Sequence, residues 1–300
     1  MKKILLIVCT LMLIGCQSND KEIIIAEQYG LAYAPIQVMM ANGYLEDLLP
    51  DYDITWVKLG NTMAMREAMS ADALDVGFVG IPPYIIGTEN GMEWGIFTGV
   101  SRAPLALMGR EGDLESIGSD ARIALPQPGS IQHILLSMAA KDKFGDASYF
   151  DNQLVTMKHP DGMQVLLEGN EIDYHFTSPP YIFQEKAAGM KEIITGENCF
   201  GGEFTFIVGV TSKDFTLDEE AYEALEKAFE LSMNEIQNNQ EATLDILMGY
   251  YNLDRQTLKT YLYDSGMVFD RDILGVDRFV EFMFENGYIK NKYEEVDLIW

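Results

Sequence analysis

E-I-I-I-A-E-Q-Y-G-L-A-Y-A-P-I-Q-V-M-M-A-N-G, residues 22–43, is the stretch of sequence that decides the fold. Its first six residues include three consecutive isoleucines and predict a buried strand, because β-branched side chains favour the pleated backbone. Pro35 predicts the first turn of a helix, and Gly43 predicts its C-terminal end. Residues 28–34 form the loop between the carboxyl end of the strand and the helix. The stretch is therefore one β-loop-α unit, the building block of an α/β sheet.

The same alternation continues along the chain, with short β-rich runs separated by helical patterns. Further strands are predicted at residues 52–59, 75–80, 94–99, 121–125, 152–158, 173–177 and 204–210. Further helices are predicted at residues 63–69, 130–140, 162–168 and 219–238. This alternation predicts α/β layers with a largely parallel sheet. The chain crosses into a second unit near residues 101–106 and returns near residues 203–208.

The N-terminus has the pattern of an export signal. A basic start precedes an apolar run at residues 4–14, and Gly15 and Cys16 follow. These are the parts of a secretory signal, and the run is shorter than the roughly 20 apolar residues that span a bilayer. The Leu-Ile-Gly-Cys junction resembles the lipobox of bacterial lipoproteins, which implies a signal peptide at residues 1–15 and lipidation of Cys16. An uncleaved signal anchor, or ordinary secretion with Cys16 incidental, are the alternatives.

The charge and the cysteines limit the class of protein. The chain has 21 basic and 47 acidic residues, a net charge of −26, so it is a poor candidate for binding nucleic acid. After export only Cys199 remains as a free thiol, so no intrachain disulfide is expected. The roughly 280 residues that remain are long enough for about two domains, each held by its own core.

Catalytic and metal-binding motifs are absent from the sequence, which has no HExxH, CxxC, GxSxG or phosphate-binding GxxxxGK[ST]. His133, His159 and His175 are far apart, and no pair has metal-ligand spacing. We interpret each as a structural or surface residue. No catalytic residue, metal or cofactor is predicted.

The loops after the strands are the best candidates for a binding site. Ligands of open α/β sheets bind outside the carboxyl ends of the strands, where helix N-termini offer unpaired N–H groups. Residues 126–132 are the clearest example, because Gly129 allows close approach of the backbone and Ser130 adds a hydroxyl. An ordinary turn with a serine cap is the alternative. Aromatic rings near these loops are candidates to enclose a small molecule, and they are Tyr29, Tyr33, Tyr84, Tyr181 and Phe204.

Several short motifs occur together in a fixed order. They are Tyr29-Gly30 with Ala34-Pro35, Asn42-Gly43-Tyr44-Leu45, residues 73–78, Pro82-Pro83, Gly129-Ser130, residues 175–181, residues 201–206, and Asn286-Gly287-Tyr288-Ile289-Lys290. Their order and spacing resemble the nitrate/sulfonate/taurine-type substrate-binding proteins, which feed ABC importers. The resemblance covers nearly the whole exported chain.

This resemblance implies a periplasmic-binding-protein type II fold, in which two α/β lobes joined by two crossover strands close on a ligand by hinge motion. After a linker at residues 16–21, lobe 1 would comprise residues 22–103 and 207–300, and lobe 2 residues 104–206. The implied ligand-binding residues are Gln28, Tyr29, Tyr33, Asn61, Ile81 and Pro82 in lobe 1, and Ser130, Ile131, Gln132, Ser178 and Pro179 in lobe 2. The partners would be an ABC permease and ATPase, with the chain lipid-anchored on the outer face or in the periplasm.

The sequence determines the class of ligand less narrowly than it determines the fold. A small organic anion, such as a sulfonate or taurine, is the expected ligand. The alternatives are a heterocycle, such as a thiamine-precursor pyrimidine or riboflavin, and a role as a tethered ligand sensor. Arg102 could balance a sulfonate, although a surface position with a salt-bridge partner is the favoured interpretation. An enzyme related to the yeast-type pyrimidine synthases shares the fold, but an export signal argues against that cytosolic chemistry.

Overall fold

The computed structural model describes residues 21–300, and the predicted signal peptide and Cys16 lie outside this range. The strands, in chain order, are β1 Glu22–Glu27, β2 Asp53–Lys58, β3 Val76–Gly80, β4 Trp94–Ser101, β5 Ala106–Gly109, β6 Ile123–Leu125, β7 Leu154–Thr156, β8 Tyr174–Thr177, β9 Lys191–Thr195 and β10 Ile207–Ser212. The helices are α1 Ala34–Asn42, α2 Tyr44–Leu48, α3 Thr62–Ser70, α4 Ile81–Glu89, α5 Ile131–Phe144, α6 His159–Glu168, α7 Tyr181–Ala187, α8 Gly196–Phe200, α9 Glu219–Asn238, α10 Gln240–Leu247, α11 Arg255–Tyr263 and α12 Val276–Glu285.

The strands form two five-stranded sheets with the same internal order. The sheet of lobe 1 is β2-β1-β3-β10-β4, and the sheet of lobe 2 is β7-β6-β8-β5-β9. In lobe 1, β1 runs parallel to β2 and β3, whereas β10 is antiparallel to β3 and β4. In lobe 2, β6 runs parallel to β7 and β8, whereas β5 is antiparallel to β8 and β9. The fold is therefore two copies of one mixed α/β arrangement.

The prediction of a largely parallel sheet is confirmed, because four strands of each sheet run in the same direction and one, β10 or β5, is reversed. The reason for the reversed strand is the connection between the lobes. β5 follows the first crossing and β10 follows the second, so each enters its sheet from the other lobe and pairs antiparallel to its neighbours. β5 and β9 were not predicted from the sequence. The other predicted strands and helices have counterparts in the structure, and the helix at residues 219–238 has the expected bounds.

The first predicted strand, β1, is buried inside the sheet of lobe 1. Ile23 and Ile25 are nearly inaccessible, and β1 lies between two parallel neighbours. Such strands are apolar on both faces because helices cover the sheet on either side. At the end of α1, Gly43 has φ +63°, the left-handed conformation of a helix C-terminus. No helix among residues 21–300 is long and apolar enough to cross a membrane.

The C-terminal helix α12 joins the two lobes through aromatic packing. Phe279 is fully buried, and its ring centroid lies 4.7 Å from that of Phe200, the last residue of α8 in lobe 2. Just after α12, the Tyr288 hydroxyl donates to Ser137 Oγ at 2.9 Å, which is a second contact with lobe 2. These contacts hold α12 and the residues after it against lobe 2.

Candidate functional site

A cavity of about 50 Å³ lies between the two sheets, at the loops that follow the carboxyl ends of their parallel strands. It is lined by Gln28, Tyr29, Tyr33, Gly60, Thr62, Gly80, Pro83 and Ile207 from lobe 1 and by Pro126, Gln127, Ser130, Ile131, Gln132, Lys158, His159, Ser178 and Phe206 from lobe 2. This position is where open α/β sheets bind ligands. The volume corresponds to a few water-sized spheres, since one water needs about 10–15 Å³. It therefore suits a compact head group.

The lobes contact each other directly around this cavity. The Leu31 amide donates to the Pro179 carbonyl at 3.0 Å, and the Met63 amide donates to Gln127 Oε1 at 3.4 Å. Both bonds join the start of a helical turn in lobe 1 to a loop of lobe 2. The structure is therefore that of a closed cleft.

In lobe 1 the cavity wall is held by the side chain of Gln28. Its Nε2 donates to Thr62 Oγ1 at 3.0 Å and lies 3.3 Å from the carbonyl oxygen of Phe78 on β3. These bonds tie the end of β1 to the start of α3. Asn61 caps the same helix, because its side chain accepts from the Ala64 amide at 3.0 Å.

In lobe 2 the wall is the start of α5. Ser130 is the N-cap, and its Oγ accepts from the His133 amide at 3.3 Å. The Gly129 amide donates to His133 Nδ1 at 2.9 Å, so His133 Nε2 carries the proton and donates to Asp151 Oδ1 at 3.0 Å. Gly129 has φ +78°, which favours glycine. His133 therefore holds the loop in place through the backbone of Gly129.

The charge of the cavity is opposite to that of the chain. Within residues 21–300, its lining includes Lys158 and no carboxylate, although acidic residues outnumber basic ones by 47 to 21 in the chain. Lys158 is exposed, and its side chain packs beside Gly60 of lobe 1. Among residues 21–300, Lys158 has no carboxylate partner within 4.0 Å. A lysine, several neutral donors and a helix N-terminus together favour a negatively charged group.

Behind the cavity, two histidines that the sequence placed far apart lie in contact. His159 Nδ1 is 3.1 Å from His175 Nε2, and His175 Nδ1 is 2.6 Å from Glu185 Oε1. On the cavity side, His159 Nε2 lies 3.2 Å from Gln132 Nε2. Burial lowers the pKa of His175 to about 3, and it raises the pKa of Glu185 to about 8. Burial, with a smaller contribution from His175, also lowers the pKa of His159 well below its usual value.

The sequence-based interpretation of His159 and His175 as isolated structural or surface residues is thus incomplete. Both are buried, but His159 lines the cavity and the two rings belong to one hydrogen-bonded chain. No local sequence signal marks them, because the contact arises where α6 packs on β8. Residues 21–300 contain no group of three or more histidine, cysteine, aspartate or glutamate side chains placed to hold a metal ion.

The structure brings together most, but not all, of the residues predicted to bind ligand. Those that line the cavity are Gln28, Tyr29, Tyr33, Ser130, Ile131, Gln132 and Ser178. Those that do not line it are Asn61, Ile81, Pro82 and Pro179. Asn61 is engaged as a helix cap, and Pro179 contributes its carbonyl to the contact with Leu31. Ile81 and Pro82 are buried in the first turn of α4, whose Pro83 faces the cavity instead.

Arg102 and three of the aromatic candidates do not line the cavity. Arg102 pairs with Glu203 at 2.7 Å and with Asp270 at 2.5 Å, so the favoured interpretation as a salt-bridged residue is confirmed. Tyr84 is buried in lobe 1, where its hydroxyl donates to the Leu298 carbonyl at 2.8 Å. Phe204 packs against Phe200 and Phe279. Tyr181 stacks on His159 behind the cavity wall.

The sheet order and the cleft between the lobes define a periplasmic-binding-protein fold, which confirms the predicted fold class. Among solved structures, the chain is similar to the alkanesulfonate-binding protein SsuA from Xanthomonas axonopodis bound to MOPS, with a TM-score of 0.77 and 14% identity over 93% of this chain and 98% of that one. It is also similar to the ligand-binding component of an ABC-type import system from Staphylococcus aureus, with a TM-score of 0.75 and 15% identity over 93% and 96%.

A further similar structure is the Candida albicans CA3427 product, described as having the generic periplasmic binding protein fold, with a TM-score of 0.67 and 13% identity over 92% of each chain. No protein-family model matches the sequence, and no curated protein matches it. At these identities the likeness establishes the fold. The presence of a sulfonate-binding protein among the similar structures agrees with the resemblance found in the sequence.

Proposed function

We propose that this chain is the extracytoplasmic solute-binding subunit of an ABC importer, and that it captures a small organic anion of the sulfonate or taurine type in the interlobe cleft. The observation that carries the proposal is the carboxylate-free cavity with Lys158 at its wall, in a chain of net charge −26. A ligand of either neutral or positive charge would not require this arrangement. The likeness to a sulfonate-binding protein and to an importer component supports the same conclusion.

The residues suggest how such a ligand would be held. The anionic head would accept hydrogen bonds from Ser130, the N-terminal amides of α5 and Ser178, with Lys158 balancing its charge. Charge-assisted bonds of this kind are about twice as strong as neutral ones. The organic body would extend toward Tyr29, which is 37% exposed at the edge of the cavity. The small cavity favours this ligand over a flavin, whose fused rings need several times the volume.

Capture also requires that the cleft open and close. We propose that lobe 1, residues 22–103 and 207–300, and lobe 2, residues 104–206, rotate about the two crossings. The bonds from Leu31 to Pro179 and from Met63 to Gln127 would then break on opening. A ligand that contacts both lobes would favour the closed state over the open one.

A thermal-shift screen of the purified protein tests the ligand class. The panel is nitrate, methanesulfonate, taurine, a thiamine-precursor pyrimidine and riboflavin. A ligand at about 100 times its Kd adds about 2.7 kcal/mol, which raises Tm by several degrees. A shift with a sulfonate and none with the heterocycles is expected. A shift with a heterocycle alone would contradict the proposed anion. A second measurement, uptake of the ligand by cells with and without the gene, distinguishes an importer, whose loss reduces uptake, from a sensor.

The membrane anchor is a separate part of the proposal. Lipidation of Cys16 would keep the exported protein on the membrane, because several acyl chains on one residue anchor stably. Cys16→Ser should release the protein into the soluble extracytoplasmic fraction while leaving its Tm unchanged. A Cys16→Ser protein that is exported and still sediments with membranes would show that Cys16 is not the anchor.

A further inference from the structure

Four buried polar side chains form a continuous chain from the cavity into lobe 2. Gln132 lines the cavity, His159 lies behind it, His175 comes next on β8, and Glu185 ends the chain on α7. The contacts are 3.2 Å, 3.1 Å and 2.6 Å in that order. The side chains of His175 and Glu185 are completely inaccessible. Glu185 therefore reaches the ligand site only through the other three residues.

The contact between His159 and His175 depends on the residues packed around the two rings. A Cβ atom on Gly162 of α6 would lie 2.8 Å from His175 Nε2, so only glycine allows the two rings to meet. Glycine inside a helix costs about 1 kcal/mol relative to alanine. On the other side, the ring of Tyr181 stacks on His159 with centroids 5.8 Å apart. The position of both imidazoles is therefore fixed by their neighbours.

The hydrogen bonds of this chain can run in two directions. When Glu185 is ionised and both rings are neutral, His175 donates to Glu185, His159 donates to His175, and the Gln132 amide nitrogen donates to His159. When the chain holds one more proton, on Glu185 or on His175, each ring donates toward the cavity. His159 Nε2–H then requires an acceptor, which is the Gln132 carbonyl oxygen. Half a turn of the amide brings that oxygen to His159 and points the NH₂ group away from it.

We propose that Glu185 and His175 act as positioning residues, and that the proton held by this chain turns the amide donors of Gln132 toward a bound anion. The inference rests on the proposed function, because it assigns the anion its donors. It also implies that anion binding and the extra proton favour each other. Loss of the proton to solvent leaves the Gln132 carbonyl facing the ligand, where it repels an anion.

The surroundings of Glu185 favour the protonated chain at neutral pH. Glu185 Oε2 is buried and has no hydrogen-bond partner, which costs far more for a carboxylate than for a carboxylic acid. Burial raises the pKa of Glu185 to about 8. The extra proton would thus reside on Glu185 below that pH and leave above it.

Other ionisable groups around the chain are satisfied elsewhere or lie at its edge. Lys186, next to Glu185 on α7, pairs with Glu192 of β9 at 2.5 Å. Lys158, the residue before α6, and Asp161 of α6 flank His159, and within residues 21–300 neither forms a hydrogen bond with the four residues of the chain. Tyr181 is neutral because burial raises its pKa to about 12. The neighbouring strands β5 and β6 contribute only apolar residues and glycine. Glu185 is therefore the group through which protonation acts.

The test compares the protein with its Glu185→Gln variant, whose amide can donate permanently to His175. Side-chain ¹⁵N NMR of the ligand-free protein reports which nitrogen of His159 carries the proton. We expect a proton on Nε2 at pH 7 and on Nδ1 at pH 9.5 in the parent protein, and on Nε2 at both pH values in Glu185→Gln. Methanesulfonate affinity, measured by calorimetry, should fall about tenfold per pH unit above pH 8 in the parent only.

Glu192→Gln is the control, since it removes a nearby exposed carboxylate and should behave like the parent protein. The inference is overturned if His159 keeps one tautomer at both pH values, or if Glu185→Gln follows the parent protein. If methanesulfonate binds with the same pH dependence in both proteins, the inference falls while anion capture stands. If the tautomer reverses as expected and no anion on the panel binds, the coupling of Glu185 to the orientation of Gln132 stands, whereas the proposed anion capture and its dependence on the proton both fall.

Discussion

Gly129 offers a direct test of the closed cleft, because alanine there would place a methyl group between the lobes. A Cβ atom at Gly129 would lie 2.8 Å from Cδ1 of Ile86, which belongs to α4 of lobe 1. Carbon atoms in good contact are about 3.5–4.0 Å apart, so the closed lobes must separate or Ile86 must leave its rotamer. Overpacking of this kind costs about 1–3 kcal/mol. Because the cost applies when the cleft is closed, Gly129→Ala should weaken anion binding by about 5–150-fold.

Gly145 is a matched control at the other end of the same helix. Its φ of +76° is close to the +78° of Gly129, and a Cβ atom there would meet nothing within 4 Å. Both alanine variants incur the left-handed backbone penalty of about 1–2 kcal/mol and should lose a few degrees of Tm. Only Gly129→Ala should lose affinity, measured by calorimetry with the anion that gives the largest thermal shift.

A second substitution at Ile86 completes the test. Ile86→Val removes the Cδ1 atom that the new methyl group would meet, so the Gly129→Ala/Ile86→Val double variant should recover most of the lost affinity. Equal affinities for Gly129→Ala and Gly145→Ala would refute the reasoning. So would a double variant that binds as weakly as Gly129→Ala alone.

Three further predictions follow from the charged groups. The folded-state pKa of Glu185, about 8, lies above its usual 4.5, so the contribution of Glu185 to stability should be lost as the pH rises from 4.5 to 8, by up to about 1.4 kcal/mol per pH unit. The fall should be clearest above pH 6.5, where the opposite contribution of His159 and His175, whose pKa values are lowered by burial, has ended. Urea unfolding should show this fall, and Glu185→Gln should abolish it. Lys158→Gln should weaken anion binding about fivefold to tenfold, as measured by calorimetry. The control Lys141→Gln, at the far end of α5, should leave the affinity unchanged. Equal losses of affinity in the two variants would show that Lys158 does not bind the anion. Arg102→Ala should lower Tm in a thermal melt, because it leaves Asp270 and Glu203 without their salt-bridge partner. The same variant should bind the anion with unchanged affinity. A loss of affinity at unchanged Tm would instead show that Arg102 contacts the ligand.

Most of the fold could be predicted because its signals are local. The isoleucines of β1, the proline at the start of α1 and the glycine after it each act within a few residues. β5 gave no such signal, since it is four residues long and takes its place only by pairing with β8 and β9. The antiparallel direction of β5 and β10 is equally non-local, because it follows from the return of the chain between lobes.

In the candidate site, too, local sequence signals predicted some residues, whereas others depend on packing between distant parts of the chain. Ser130 and Gln132 could be placed at the cavity because a strand end, a glycine and a helix cap occur together in the sequence. Asn61 carried a similar signal, but its side chain is used by its own helix. The contact of His159 with His175 could not be predicted, since it depends on how α6 packs over β8. Lys158 was missed for the same reason, as nothing in the sequence separates it from other exposed lysines.

The carboxylate-free cavity in an acidic chain has a consequence for the kinetics of capture. An approaching anion first meets the field of a protein with net charge −26, and repulsion at this stage slows association. The Debye length is about 30 Å at 0.01 M salt and about 10 Å at 0.1 M, so added salt removes the long-range repulsion before it weakens the contact with Lys158. We therefore expect association to accelerate as salt rises through this range, which makes the protein best suited to fast capture in saline surroundings.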